Sequence, residues 1–172
     1  MYNALSFDNA NSAKTLYARD EQGQYQVATP AQILATARLS ADRLLEGRVS
    51  CNKPHLVKDF LIGKLAGMEH EVAACLFLDN QLALIEYQEM FNGTISQASV
   101  YPREIAKVAL RLNAAAVVMA HNHPSGIAEP SDADRALTKH LKKSLNMLDV
   151  RLVDHIIVAG TRTASFAERG IL

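Results

Sequence analysis

"AAAVVMAHNHPSGIAEPSDAD", residues 114–134, decides the fold. Its first seven residues are uninterruptedly apolar and read as a buried strand. A polar loop follows, punctuated by Pro124, Gly126 and Pro130. Ser131 then stands as the cap of a long helix whose Leu137, Leu141, Leu145 and Leu148 form an apolar stripe. A strand that leads through a loop into such a helix asks for a returning strand. "RLVDHIIVAG" (151–160) supplies one.

Working outward, "VAACLFL" (72–78) is a second continuous apolar run, turned at Asp79–Asn80 into the partner strand "LALIEYQEMF" (82–91). Pro102 opens a helix with Ile105, Val108, Ala109 and Leu112 on one face, and Pro54 opens another that runs to about Gly67. An earlier helix starts at Pro30, with Thr29 as cap and Gln32 three residues after it, and spans about 30–46. Its apolar face is Ile33, Leu34, Ala37, Ala41, Leu44 and Leu45. Strands and helices interleave, so the fold class is α/β (α+β), a mixed central sheet with helices packed on it. Residues 1–28 are polar, with a short hairpin expected around Gly23. The expected division is an N-terminal extension over 1–50, carrying one helix, and a main domain over 51–172.

Composition narrows the class further. The 172 residues are 49% hydrophobic and 21% charged with a formal net charge of zero, so no global basic field calls for nucleic acid. Two cysteines, Cys51 and Cys75, are too few for a disulfide framework, and Cys75 lies inside an apolar run. The N-terminus has no basic start followed by an apolar segment, and no run of apolar residues is long enough to span a bilayer. A cytoplasmic protein is expected, with no membrane partner.

The chemistry gathers at 121–134. On extended backbone His121 and His123 point the same way, so both imidazoles can converge on one point. Zinc takes such nitrogen and oxygen ligands, and a catalytic zinc site uses three protein ligands with one position open. Asp134 can be the third, brought back by the loop to the first turn of the helix that Ser131 caps. Ser131 and Asp134 are also a capping box in their own right, and a strand-end histidine is commonly just a hydrogen-bonded one. The position at the carboxyl end of a strand favours a site. A zinc hydrolase also needs a general base outside the ligand set, and Glu69, Glu71, Glu86, Glu89 and Glu104 are the candidates.

These residues resemble the JAMM/MPN metalloprotease signature: His-x-His, seven residues, then Ser-x-x-Asp. More closely, residues 54–172 resemble the RadC family of bacterial JAMM-like domains. The shared segments are "GTISQASVYPREI" (93–105), "AHNHPSG" (120–126), "PSDAD" (130–134), "VDHIIV" (153–158) and "SFAERGIL" (165–172). The resemblance implies the JAMM/MPN cytidine-deaminase-like fold, with Zn²⁺ held by His121, His123 and Asp134 and water as fourth ligand. It implies Glu71 as general base and Ser131 as a donor to the oxyanion of a tetrahedral intermediate. The chain is similar to shorter RadC-like proteins without the N-terminal helix-hairpin-helix domain of longer ones.

The expected function is therefore a zinc-dependent metallopeptidase or isopeptidase acting on a peptide or protein. The alternative is a DNA-associated repair or mobile-element accessory protein that works by nucleic-acid or partner binding. Arg135, Lys139, Lys142 and Lys143, at helical spacing, are its candidate contacts, although a solvated outer face is the simpler account of them. A ligand-less scaffold is disfavoured because all five signature positions are filled. A nucleobase deaminase is set aside because His-x-Glu and Pro-Cys-x-x-Cys are missing. Asp154 and His155 must face opposite sides of their strand, and one of them can support a metal ligand, although a satisfied core pair accounts for them as well. Arg103 and Glu104 read most simply as an ion pair at a helix start.

Overall fold

The computed structural model describes residues 6–7, 15–20, 22–44, 51–93 and 100–172. Within the described residues the chain forms, in order, β1 (Ser6–Phe7), β2 (Leu16–Arg19), β3 (Tyr25–Val27), α1 (Pro30–Leu44), α2 (Pro54–Leu65), β4 (Val72–Leu78), β5 (Leu84–Asn92), α3 (Pro102–Arg111), β6 (Ala116–Asn122), α4 (Asp132–Asn146), β7 (Arg151–Ala159) and β8 (Arg162–Ser165). Strands β1–β3 make a small antiparallel sheet, which includes the hairpin expected around Gly23. The five others form a mixed sheet in the order β5-β4-β6-β7-β8, in which only β6 and β7 run parallel. That one parallel pair is joined through α4, the crossover its direction demands. This is the JAB/MPN architecture.

Continuous apolar runs become central strands because both of their faces are covered. Every residue of β4 and of β6 is buried. On one face Val72, Ala74, Leu76, Leu78, Val118 and Ala120 pack against Phe60, Leu61 and Leu65 of α2. On the other, Ala73, Cys75, Phe77, Val117 and Met119 pack against Ile105 and Ala109 of α3 and Leu141 and Leu145 of α4. Each fully buried leucine or phenylalanine here stabilises the fold by about 1.5–3 kcal/mol.

Helix starts fall where the capping residues put them. Pro54 and Pro102 open α2 and α3. Thr29 and Gln32 close a reciprocal capping box on α1: Gln32 N donates to Thr29 Oγ1 at 3.3 Å, and Thr29 N to Gln32 Oε1 at 2.9 Å. The α1 face meets α2 through Leu34, which abuts Gly67, and Ala41, which abuts Gly63. Residues 45–50, and the side chains of 42–44, lie outside the described residues, so the expected end of α1 at 46 does too.

Two readings shift in register. The strand expected at 114–120 runs over Ala116–Asn122, which puts His121 inside the sheet rather than just beyond it. The buried stripe of α4 is Asp134, Thr138, Leu141 and Leu145, while Leu148, past the end of the helix, is 39% exposed. The polar head of that stripe faces the carboxyl end of β6, where the site needs it. Strand β8 falls outside the strands expected from the sequence. It is four residues long and gains its identity only by pairing with β7.

Candidate metal centre

Strand β6 positions the site. His121 lies opposite Ala73 of β4 and beside Ile157 of β7, and is 2% exposed. The chain continues in extended form through His123, whose N–H donates to Val158 O at 2.8 Å. With the side-chain period of two, both imidazoles therefore leave the same face. Their Nε2 atoms stand 3.0 Å apart.

The loop after His123 is tied down at three points. Gly126, at φ +76°, turns the chain and donates to His123 O at 3.1 Å. Arg162 of β8 donates to Gly126 O at 2.6 Å. Glu129 pairs with Arg169 at 2.8 Å. The loop thus delivers the first turn of α4 to the histidines. Ser131 caps it with a complete capping box, accepting from Asp134 N at 3.1 Å while its own N–H donates to Asp134 Oδ2 at 2.8 Å. Its hydroxyl also donates to Asp134 Oδ2, at 2.6 Å, so the Ser131 proton orients that carboxylate. Asp134 Oδ1 then lies 3.1 Å from His121 Nε2, and Oδ2 lies 3.6 Å from His123 Nε2.

Glu71 enters from the residue before β4. Its Oε1 is 3.9 Å from His121 Nε2. Asn122, between the two histidines, sends its side chain to the opposite face and grips the backbone on both sides of Glu71. Its Oδ1 accepts from Val72 N at 2.7 Å and its Nδ2 donates to His70 O at 3.0 Å. Gly93 N donates to Glu71 O at 2.8 Å. The stem of Glu71 is therefore held from both neighbouring strands. Asn122 was not expected as a site residue, and its place between two ligand candidates is the signal that could have marked it.

Glu71, His121 and His123 each offer one ligand atom within 4.8 Å of one another, so they could hold a metal ion. Asp134 comes closer to both imidazoles than that spacing. The separations of 3.0, 3.1 and 3.6 Å among His121, His123 and Asp134 bracket the edge of a tetrahedron with ligands about 2.0–2.2 Å from its centre, which is roughly 3.3–3.6 Å. Glu71 Oε1, at 3.9 Å from His121 Nε2, stands slightly outside that edge. Glu69, its neighbour in sequence, is exposed.

Electrostatics point the same way. Burial works against a charged Asp134, but the adjoining His121 and His123 rings and the Ser131 hydroxyl outweigh it and hold the carboxyl far below its ordinary range. The Asp134 carboxylate beside it holds the His123 imidazolium above its ordinary value, with burial opposing. Burial drives His155 down to about 3, helped by the charge on His121, so it is neutral at any working pH. His155 has no exposed surface, stacks on Phe166 and sits 2.8 Å from His121 Nδ1 through its Nε2.

Asp154 turns to the other face, as alternation requires. It accepts from Ser165 Oγ at 2.6 Å and Ala167 N at 2.9 Å, and so fastens the C-terminal turn. Arg103 and Glu104 are an ion pair at 3.4 Å at the start of α3. Of the basic residues on α4, Arg135 pairs with Glu129 at 3.8 Å and Lys142 reaches Leu172 O at 3.3 Å.

A mixed sheet carrying this histidine–histidine–carboxylate cluster at a strand's carboxyl end defines a JAB/MPN-type domain. Comparison with known sequences is specific about which: residues 51–171 match the family model described as "RadC-like JAB domain", and the chain belongs to that family. A UPF0758 protein of Methylibium petroleiphilum is 54% identical over 151 residues, 87% of this chain and 68% of the relative. One from Vibrio cholerae is 59% identical over 114 residues, 66% of this chain and 72% of the relative. One from Leptothrix cholodnii is 51% identical over 140 residues, where the chain spans only 63% of the relative's length.

Proposed function

We propose that this chain is a zinc-dependent hydrolase of peptide or isopeptide bonds, with His121, His123 and Asp134 as the metal ligands and Glu71 as general base. One observation carries the reading: three electron-pair donors converge within 3.0–3.6 Å of one another. His123 Nδ1 is 2.7 Å from Ile127 O, which can only accept, so its proton is on Nδ1 and the Nε2 lone pair faces the cluster. Lone pairs crowded in this way repel unless a proton or a metal cation sits among them, and imidazole and carboxylate are the donors zinc favours. Bound there, Zn²⁺ supplies Lewis-acid chemistry, acidifying a water and polarising a carbonyl.

The residues then divide the work. Glu71 takes the proton from the attacking water and delivers it to the leaving nitrogen as the C–N bond breaks, so oxygen goes to the acyl carbon and the proton to the amine. Asn122 keeps Glu71 in reach. Ser131 can turn its hydroxyl towards a developing oxyanion, because Asp134 Oδ2 keeps the Ser131 N–H at 2.8 Å. Glu71 and His123, each with 18% of its side chain exposed, leave the cluster open to solvent on one side. Cys51 and Cys75 are both buried and not joined in a disulfide, which accords with a cytoplasmic setting.

The test has two parts. Purified protein should hold one zinc per chain. Against a panel of peptides and lysine-linked isopeptides, Glu71→Gln should keep the zinc and lose about 10²- to 10⁴-fold in rate. Protein that cannot take up zinc, or a Glu71→Gln variant as active as the parent, would refute the proposal.

A further inference from the structure

Behind the metal centre runs a chain of hydrogen bonds that the catalytic proposal does not use. His121 Nδ1 meets His155 Nε2 at 2.8 Å, His155 Nδ1 meets Thr138 Oγ1 at 2.5 Å, and Thr138 Oγ1 meets Asp134 O at 2.6 Å. All four residues are buried, His155 and Thr138 to within 1%. We propose that Thr138 and His155 are positioning residues that fix the tautomer of His121, so that a lone pair and not an N–H faces the metal centre. The inference rests on the site reading above but makes a separate claim about protons.

The direction of the chain follows from counting hydrogens. A threonine hydroxyl has one proton, and a peptide carbonyl can only accept. At 2.6 Å, the Thr138 hydroxyl and Asp134 O would repel without a proton between them, so the Thr138 proton lies there. Thr138 Oγ1 must then accept from His155, which places the His155 proton on Nδ1. A neutral His155 is left with a lone pair on Nε2, and it accepts from His121 Nδ1–H. His121 therefore presents Nε2 without a proton towards His123 and Asp134. Reversing any one bond reverses them all, and would bring an N–H to the position where a ligand lone pair is needed. Because Thr138 also bonds to the carbonyl of Asp134, one hydroxyl links two of the three ligand candidates. Stacking on Phe166, with ring centroids 4.6 Å apart and planes at 21°, keeps His155 from rotating out of the chain.

Two measurements test this. The first is the nitrogen chemical shifts of the histidine rings in zinc-free wild-type protein, in alkaline buffer, which report the tautomer directly. His121 is expected as the Nδ1–H form. The second is zinc affinity by chelator competition on the full chain. Thr138→Val, which keeps the shape and removes the acceptor, should bind zinc about 10- to 100-fold more weakly and move His121 towards the Nε2–H form. Thr138→Ser should match wild type in both readouts. A wild-type His121 in the Nε2–H form would overturn the inference. So would a folded Thr138→Val protein that binds zinc as tightly as its parent with an unchanged tautomer. Should the wild type bind no zinc, the proposed function fails while the tautomer spectrum still decides this claim. The same spectrum decides it if Thr138→Val does not fold.

Discussion

Asn122 shows how much one side chain can carry. It is 3% exposed and holds two backbone groups, the buried N–H of Val72 and the carbonyl of His70, an exposed residue. Truncation to alanine orphans the buried N–H. A buried unsatisfied group costs about 1–3 kcal/mol, so Asn122→Ala should lose about that much in chemical denaturation. It should also slow hydrolysis by freeing Glu71, while zinc affinity changes little because His121 and His123 leave the other face. A zinc affinity that falls in step with stability would show that the clamp holds the ligands as well as the base.

At the level of elements, α4 is both a core helix and the carrier of Asp134, a proposed ligand, and its cap couples the two roles. Ser131→Ala removes the hydroxyl from both the helix N-terminus and Asp134 Oδ2. The expected loss is about 1 kcal/mol of stability from the cap, together with weaker zinc binding as Asp134 gains freedom; calorimetry and chelator competition read them separately. Helix α1 gives the contrasting case, since it packs on the far side of the sheet. A Cβ added at Gly63 would meet Ala41 Cβ at 2.7 Å and Ala37 O at 3.3 Å, atoms fixed to the α1 backbone. Alanine gains up to about 1 kcal/mol in helix propensity over glycine, but overpacking costs typically about 1–3 kcal/mol. Gly63→Ala should therefore lower the unfolding midpoint and leave zinc affinity untouched.

On the scale of the whole molecule, the proposed metal would compete with protons for one cluster. In metal-free protein the Asp134 carboxylate raises His123 above its ordinary 6.5, so the stabilisation it gives is complete below that value and is lost as pH rises through the raised one. His155, pushed down to about 3, acts in the other direction: the unfolded chain takes up its proton below 6.5 and the folded chain refuses it, so stability falls as pH drops from 6.5 towards 3. Asp134 adds to the acid loss below its ordinary 3.8. Zinc must displace the His123 proton, so its affinity should increase with pH across and above 6.5. Denaturation midpoints against pH, with zinc and with a chelator, should converge in acid and separate in alkali. At zinc about 100-fold above Kd the separation should be about 2.7 kcal/mol. Among the described residues no helix is long and apolar enough to cross a membrane.

The amino-acid order alone was enough for the central strands, because "VAACLFL" and "AAAVVMA" are apolar at every position and only a sheet covered on both faces accepts such runs. It was enough for the helix starts as well, since Thr29, Pro30, Pro54, Pro102 and Ser131 act locally on the first turn that follows them. The spacing of His121, His123, Ser131 and Asp134 is equally local, being one strand end, one loop and one helix cap. Glu71 is different. Five glutamates satisfied the chemistry, and only the antiparallel pairing of β4 with β6, which sets Ala73 opposite His121, brings the residue two places before Ala73 to the cluster. Strand β8, Asn122 as a clamp and the Thr138–His155 chain share that dependence. Each joins residues far apart in the chain through a hydrogen bond or a packed ring, and such contacts exist only after the sheet has closed and its two faces are covered.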